Sequence, residues 1–264
     1  MDTSDDVDMR DLIDGAVLLA GTANAVMQLA RPAVGYGVLE SKIDSGQTMR
    51  CPFRRIRNTV TYMSVAMMGT EEEQAYYRRQ ANRAHALVRS APGSPVRYNA
   101  FDPRLQLWVA ACLYRGGMDV RTRLHGPVDE ATADAIYRQC RRFGTTLQVP
   151  EHMWPADRAA FEQYWAAALA ELRIDPPVRD YLNRLIGLEY LPRPFGAALG
   201  PVNRFLTTGF LPRRSASRCS CPGPNATSAS STSSSSCSRR STVSCRHWSR
   251  GSRSTSACTN CDCG

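Results

Sequence analysis

Apolar residues along the first 213 positions recur at offsets of three and four, the period of a buried helix face, and strand-like alternation is scarce. The pattern predicts a helix from Asp11 to Ala30, stopped at Arg31-Pro32 because proline has no N–H to continue the ladder. "AVGYGVLESKIDSGQ" then reads as an irregular stretch containing glycines. A second helix is expected in "PFRRIRNTVTYMSVAMMG", ending at Gly69. A third follows in "TEEEQAYYRRQANRAHALVRS", where Thr70 is a good N-cap and Glu71, Glu72 and Glu73 put negative charge against the positive end of the helix dipole. Beyond the loop "SAPGSPVRYNAF", Asp102 caps and Pro103 opens "DPRLQLWVAACLYRG". "DEATADAIYRQCRRFG", ended at Gly144, then "PADRAAFEQYWAAALAEL" and "PPVRDYLNRLIGLEYL" complete the helical reading. There is no internal repeat. The expectation is one all-α domain of seven or eight helices over residues 1–213.

The pattern stops after residue 213. Residues 214–264 have neither period, contain a serine run and offer almost no aliphatic side chains. Such a segment cannot bury enough apolar surface to offset its chain entropy, so it is expected to be disordered. "CSC" and "CTNCDC" superficially suggest zinc, but the paired CxxC…CxxC arrangement is missing and His247 has no second histidine at a useful offset. The chain has one lysine, Lys42, among 33 basic residues, a sign of GC-rich coding DNA. Such DNA read one base out of frame yields Ser, Arg, Cys, Pro and Thr, so the reading frame is expected to be lost near Arg213 or Arg214. Function is therefore sought in residues 1–213.

Charge and cysteine divide at the same place. Of the formal +9, seven arginines and one acid after residue 213 supply +6, leaving +3 on residues 1–213. That body is only mildly basic, with acids interspersed, which gives nucleic acid little support as a partner. Cys51, Cys112 and Cys140 are the only cysteines of the body, too few and odd in number for a disulfide framework, as in a reduced, intracellular protein. The acidic start, "MDTSDDVDMRD", lacks the basic region of a signal peptide. "GAVLLAGTANAVMQLA" is shorter than a membrane span and carries Asn24 and Gln28. A cytoplasmic location is expected, with peripheral membrane contact left open.

Candidate chemistry is sparse. His125 and His152 lie in proline-containing loops and read as exposed or locally packed. His85 instead shares a helix face with Tyr77, Ala81 and Val88, at offsets of 4, 4 and 3, so it points toward the core. It is either a core histidine bonded to a neighbour or an axial ligand to a haem iron. Arg55 and Thr59 are four residues apart on one face, with Arg57, Thr61 and Tyr62 nearby. An arginine beside a hydroxyl suits a propionate carboxylate or bound oxygen; the alternative is a solvated basic helix edge. Leu105, Trp108, Val109 and Cys112 form an apolar stripe that reads as core or as the wall of a substrate channel. GxGxxG, P-loop, HExxH and GxSxG signatures are absent.

"LLAGTANAVMQLARPAVGYGVLES", "RRIRNTVTYMSVAMMGT", "NRAHALVRS", "YNAFDPRLQLWVAACLYRG" and "GTTLQVPEHMWP" occur in the order seen in the MpaB-type oxygenase family, which includes the latex clearing proteins, the bacterial rubber oxygenases. The chain most resembles actinobacterial members without an assigned substrate, over about residues 12–213. The resemblance implies a globin-like all-α core, haem b, and dioxygen chemistry on a hydrophobic substrate, typically cleavage of carbon–carbon double bonds in isoprenoid chains. It places His85 as the proximal haem ligand and Arg55 and Thr59 on the distal side. Asn58 stands where rubber-cleaving members have lysine, which argues against rubber itself. The distal glutamate of rubber oxygenases has no secure counterpart, although Glu40 lies in the right region. A haem-binding sensor or carrier without catalysis, and an inactive truncated scaffold, are the alternatives.

Overall fold

A computed structural model describes residues 9–12, 15–43 and 48–212. The chain separates into two units, Met1–Arg214 and Ser215–Gly264, and every described residue belongs to the first. The serine-rich stretch and the expected point of frame loss lie outside the described residues.

The described residues are helical, with no β-strand among them and one isolated bridge between Arg89 and Asn99. The first expected helix is broken into two 3₁₀ segments, Met9–Leu12 and Gly15–Ala20, followed by α1, Gly21–Leu29. The glycine-containing stretch is not irregular: Pro32–Leu39 forms α2, with Pro32 at its first position. Next come α3, Pro52–Met68, and α4, Glu71–His85. Thr70 and Glu73 close a capping box at the start of α4. Asp102 caps α5, Pro103–His125, which runs through Gly116 and Gly117 and ends at Gly126, where φ is 85°. Then follow α6, Glu130–Cys140, α7, Arg142–Thr145, α8, Arg158–Ala170, and α9, Pro176–Ile186. Gly144, expected as a terminator, lies inside α7. A further helix, α10, spans Arg193–Phe210.

Helix α5 is the axis of the larger core. Trp108 is wholly buried and stacks on Trp165 of α8 at 5.2 Å, while its indole N–H donates to the Gln28 carbonyl oxygen of α1 at 3.2 Å. Phe161 meets Tyr114 edge-on at 4.8 Å and joins Tyr137 and Trp154 in an aromatic cluster. Cys112 and Cys140 are buried here, and burial raises both thiols. They are packing residues, as is Trp108. A second core joins Val26 and Leu29 of α1, Tyr36 of α2 and Tyr98 to the apolar face of α9. Asn24 is satisfied within the protein, donating to the Cys112 carbonyl at 2.6 Å and accepting from Gln28 at 2.6 Å.

Candidate functional site

His85 ends α4, and the loop that follows folds back through the Arg89–Asn99 bridge to bring Phe101 against it. The two rings meet edge-on, with centroids 6.2 Å apart. No residue of α4 is fully buried, so His85 sits at the margin of the core. Its Nδ1 is nevertheless shut off from solvent and has no hydrogen-bond partner. A helix C-terminus ordinarily favours imidazolium. Here burial, and then the positive charge of Arg55, outweigh that effect and hold the imidazole below its ordinary value of 6.5. The ring is a neutral donor at neutral pH.

Arg55 reaches this region from α3. Its pKa is lowered, first by desolvation, and it has no carboxylate partner among the described residues. Tyr77 of α4 and Tyr181 of α9 are close enough to feel the same charge. The Tyr77 hydroxyl donates to the Asn58 carbonyl at 2.7 Å, whereas the buried Tyr181 hydroxyl has no partner. Three helices thus present a neutral imidazole, a desolvated guanidinium and an unpaired phenol to one region.

A polar network fixes α4 from the opposite direction. The buried Gln106 side-chain amide donates to the Ala100 carbonyl at 2.7 Å and to Gln148 at 2.6 Å, and accepts from the Gln148 backbone N–H at 2.9 Å. Gln148 in turn donates to Asn82 at 2.6 Å, one helical turn before His85. Arg78 adds a bond from Nε to the Thr146 carbonyl at 2.7 Å. These bonds set the position of α4, and with it that of His85.

Thr59 shares the α3 face with Arg55, but its hydroxyl donates to the Arg55 carbonyl at 3.0 Å, within its own helix. Arg57 and Thr61 are exposed. Tyr62 donates to the Phe143 carbonyl and stacks obliquely on Tyr77 at 5.6 Å. Glu40, just after α2, accepts from Tyr98 at 2.8 Å and Ser94 at 3.2 Å, so both its oxygens tie down the 94–98 loop. His125 and His152 are exposed. Two clefts of about 470 and 490 Å³ flank α5 around Arg115 and Asp119, and neither is lined by Arg55, Thr59 or His85. Nothing in the sequence marks Tyr181 as a site residue. Its neighbours Val178, Leu182 and Leu185 give it the look of an ordinary core position, and only the third dimension brings it toward Arg55.

Residues 9–234 match the family described as the ER-bound oxygenase mpaB/B′ and rubber oxygenase catalytic domain. The chain belongs to this family. Uncharacterised proteins of Mycobacterium tuberculosis and Mycobacterium bovis are each 55% identical to it over 194 residues, which is 74% of this chain and 76% of each relative. No solved structure matches the chain. Membership in the mpaB and rubber oxygenase family assigns the described helices to an oxygenase catalytic domain. No helix among the described residues is long and apolar enough to cross a membrane.

Proposed function

We propose that the protein is a haem b-dependent oxygenase that uses dioxygen on a small hydrophobic substrate of isoprenoid type. The observation that carries this reading is the unpaired, buried Nδ1 of a neutral His85 that feels the charge of the desolvated Arg55. A lone imidazole can hold a metal only where a non-protein group supplies most of the other ligands. A porphyrin supplies four and asks one neutral imidazole of the chain. In this reading His85 is that imidazole, supported by its buried Nδ1 without a hydrogen-bond partner.

When bound, haem supplies the activation of dioxygen. The chain's own part is to hold and shield. His85 is kept unprotonated by burial and by Arg55, so its lone pair is available. Arg55 offers fixed N–H donors in a dehydrated setting to a carboxylate or to an oxygen atom that gains negative charge. Thr59 stands on the same face with its proton already given to the helix, so toward a ligand its oxygen acts as an acceptor. The Gln106–Gln148–Asn82 network keeps α4 from shifting as the site fills. Asn58, in the place of a lysine, argues for a substrate other than rubber.

The test is a visible spectrum and pyridine-haemochrome assay of the full chain expressed with haem supply, beside His85→Ala. A Soret band that His85→Ala abolishes or shifts supports the ligand. Oxygen uptake on adding a long-chain alkene supports the enzyme. A folded but colourless chain overturns the haem reading, and a coloured chain without oxygen uptake overturns the catalytic one.

A further inference from the structure

Helix α10 turns its small and polar side inward and its apolar side outward. Gly196 and Gly200 face the α9–α10 corner so closely that a Cβ would stand 3.0 Å from the Leu188 carbonyl oxygen and 2.9 Å from the Gly187 carbonyl oxygen. Asn203 donates to the Ile186 carbonyl at 2.9 Å and accepts from Thr22 at 3.1 Å, and Thr207 is buried one turn further. On the outer face Phe195 is 61% exposed, Leu199 48%, Val202 56% and Phe205 76%, at offsets of 4, 3 and 3. The stripe carries no charge, because Arg193 and Arg204 lie on the opposite side of the helix. Leu18 and Leu19, in the 3₁₀ segment Gly15–Ala20 that packs against α10, are exposed as well. An uncharged apolar stripe of this kind is an interface side, not an ordinary wet surface.

The amino-acid sequence itself points to the occupant. Residues 213–264 as they stand have only Val243 and Trp248 as large apolar side chains, too few to cover the stripe. The same DNA read one base earlier encodes a different segment, and the genetic code fixes its character. In that frame the first base of each present codon becomes a middle base, and a middle T encodes only Phe, Leu, Ile, Met or Val. Cysteine and tryptophan codons begin with TG. The seven cysteines after residue 213 and Trp248 therefore each become Leu, Met or Val, whatever the base before them. Each serine written TCN becomes Phe, Leu, Ile or Val. Near the end Cys258 and Cys261 become aliphatic, while Thr259 becomes Tyr, His, Asn or Asp and Asn260, in an open frame, becomes Gln, Lys or Glu. Apolar positions three apart with polar ones between them follow the period of a helix face. Read one base later instead, the middle base is the present third base. In DNA as GC-rich as the arginine usage implies, that base is G or C and encodes no aliphatic residue larger than alanine. Only the earlier frame supplies an apolar segment. About a quarter of each mycobacterial relative also lies outside the stretch that this chain matches.

We propose that the outer face of α10 is the seat of an amphipathic helical segment, encoded one base earlier than the frame of residues 214–264, whose Leu, Met and Val side chains pack on Phe195, Leu199, Val202 and Phe205. The inference stands apart from the haem reading, because none of these residues belongs to the Arg55–His85 region. The test compares the full chain with a second chain in which one base, inserted after codon 213, sets the earlier frame. Hydrogen exchange at the α10 amides should slow by about tenfold or more in the second chain, and its melting temperature should rise. Phe195→Ser/Phe205→Ser should remove that protection in the second chain and leave exchange in α5 unchanged. The same double variant should leave the first chain as it was, because there both rings already face water. A stop codon in the earlier frame before codon 264 overturns the proposal. So do α10 amides that exchange equally fast in both chains, or a second chain that melts below the first. A discrete dimer of the first chain, dissolved by the double variant, also overturns it, because the seat then belongs to a second copy.

Discussion

Thr59 donates its hydroxyl to the carbonyl oxygen of Arg55 at 3.0 Å, one turn back in α3. The pair that the sequence placed on one helix face is therefore joined through the backbone, while the Arg55 guanidinium is left without an acidic partner among the described residues. The two side chains should respond differently to removal. Thr59→Val loses a bond that competes weakly with helix geometry and should change stability by less than about 1 kcal/mol. Arg55→Met removes a desolvated, unpaired cation. It should leave the ligand-free protein as stable or about 1 kcal/mol more stable, while weakening whatever anionic group the site holds. Urea melts of both variants, with and without haem, check this. A destabilisation by Arg55→Met of several kcal/mol in the ligand-free state would show that Arg55 is a structural cation.

The core makes a sharper prediction. Trp108 is wholly buried, stacked on Trp165 and bonded through its indole to Gln28. Trp108→Ala should cost about 3–5 kcal/mol, because lost burial and an unfilled cavity add together. Trp108→Phe keeps most of the volume but leaves the Gln28 carbonyl without the indole, and should cost about half as much. Denaturant midpoints measure both. A Trp108→Ala loss below about 1 kcal/mol would mean that this position lines an open channel, the other reading its apolar stripe allowed.

An alkaline pH dependence follows from Tyr98. Burial, and then its bond to the Glu40 carboxylate, raise the phenol from 10.0 to about 12. The folded value lies above the unfolded one, so the stabilisation is fully present below pH 10 and is lost as pH rises from 10 to about 12. Urea midpoints between pH 8 and pH 11.5 should fall over that interval. Tyr98→Phe should lower stability at pH 8 by about 1 kcal/mol and flatten the alkaline slope. An unchanged slope would place the titration elsewhere.

The all-α class, the caps at Thr70 and Asp102 and the start of α3 were legible in the sequence because each depends on residues within a few positions of one another. Helices α2 and α10 were not. "PAVGYGVL" and "RPFGAALGPVNRFLTTGF" are rich in Gly and Pro, which local propensity reads as loop. In α10 those glycines are what permit the close approach to α9, a tertiary reason invisible along the chain. The site divides in the same way. His85 and Arg55 could be singled out from their helix faces, but the charge of Arg55 reaches His85 from a different helix, and Tyr181 arrives from α9. The sequence spacing that paired Arg55 with Thr59 was correct about the face, yet silent about the hydroxyl's bond to the backbone.

The α9–α10 corner offers a test of packing at a single atom. A Cβ on Gly200 would stand 2.9 Å from the Gly187 carbonyl oxygen, and neither backbone can move without shifting a helix. Gly200→Ala should therefore destabilise by about 1–3 kcal/mol, even though alanine is the better helix former. Gly209 is the matched control: it lies in the same helix, and a methyl group there would meet nothing within 4 Å. Gly209→Ala should be neutral or stabilising by up to about 1 kcal/mol. Thermal melts of the two variants give opposite signs if α10 rests on α9 through its glycines. Equal effects would mean that α10 is held loosely, and the inward placement of Asn203 and Thr207 would then lose its support.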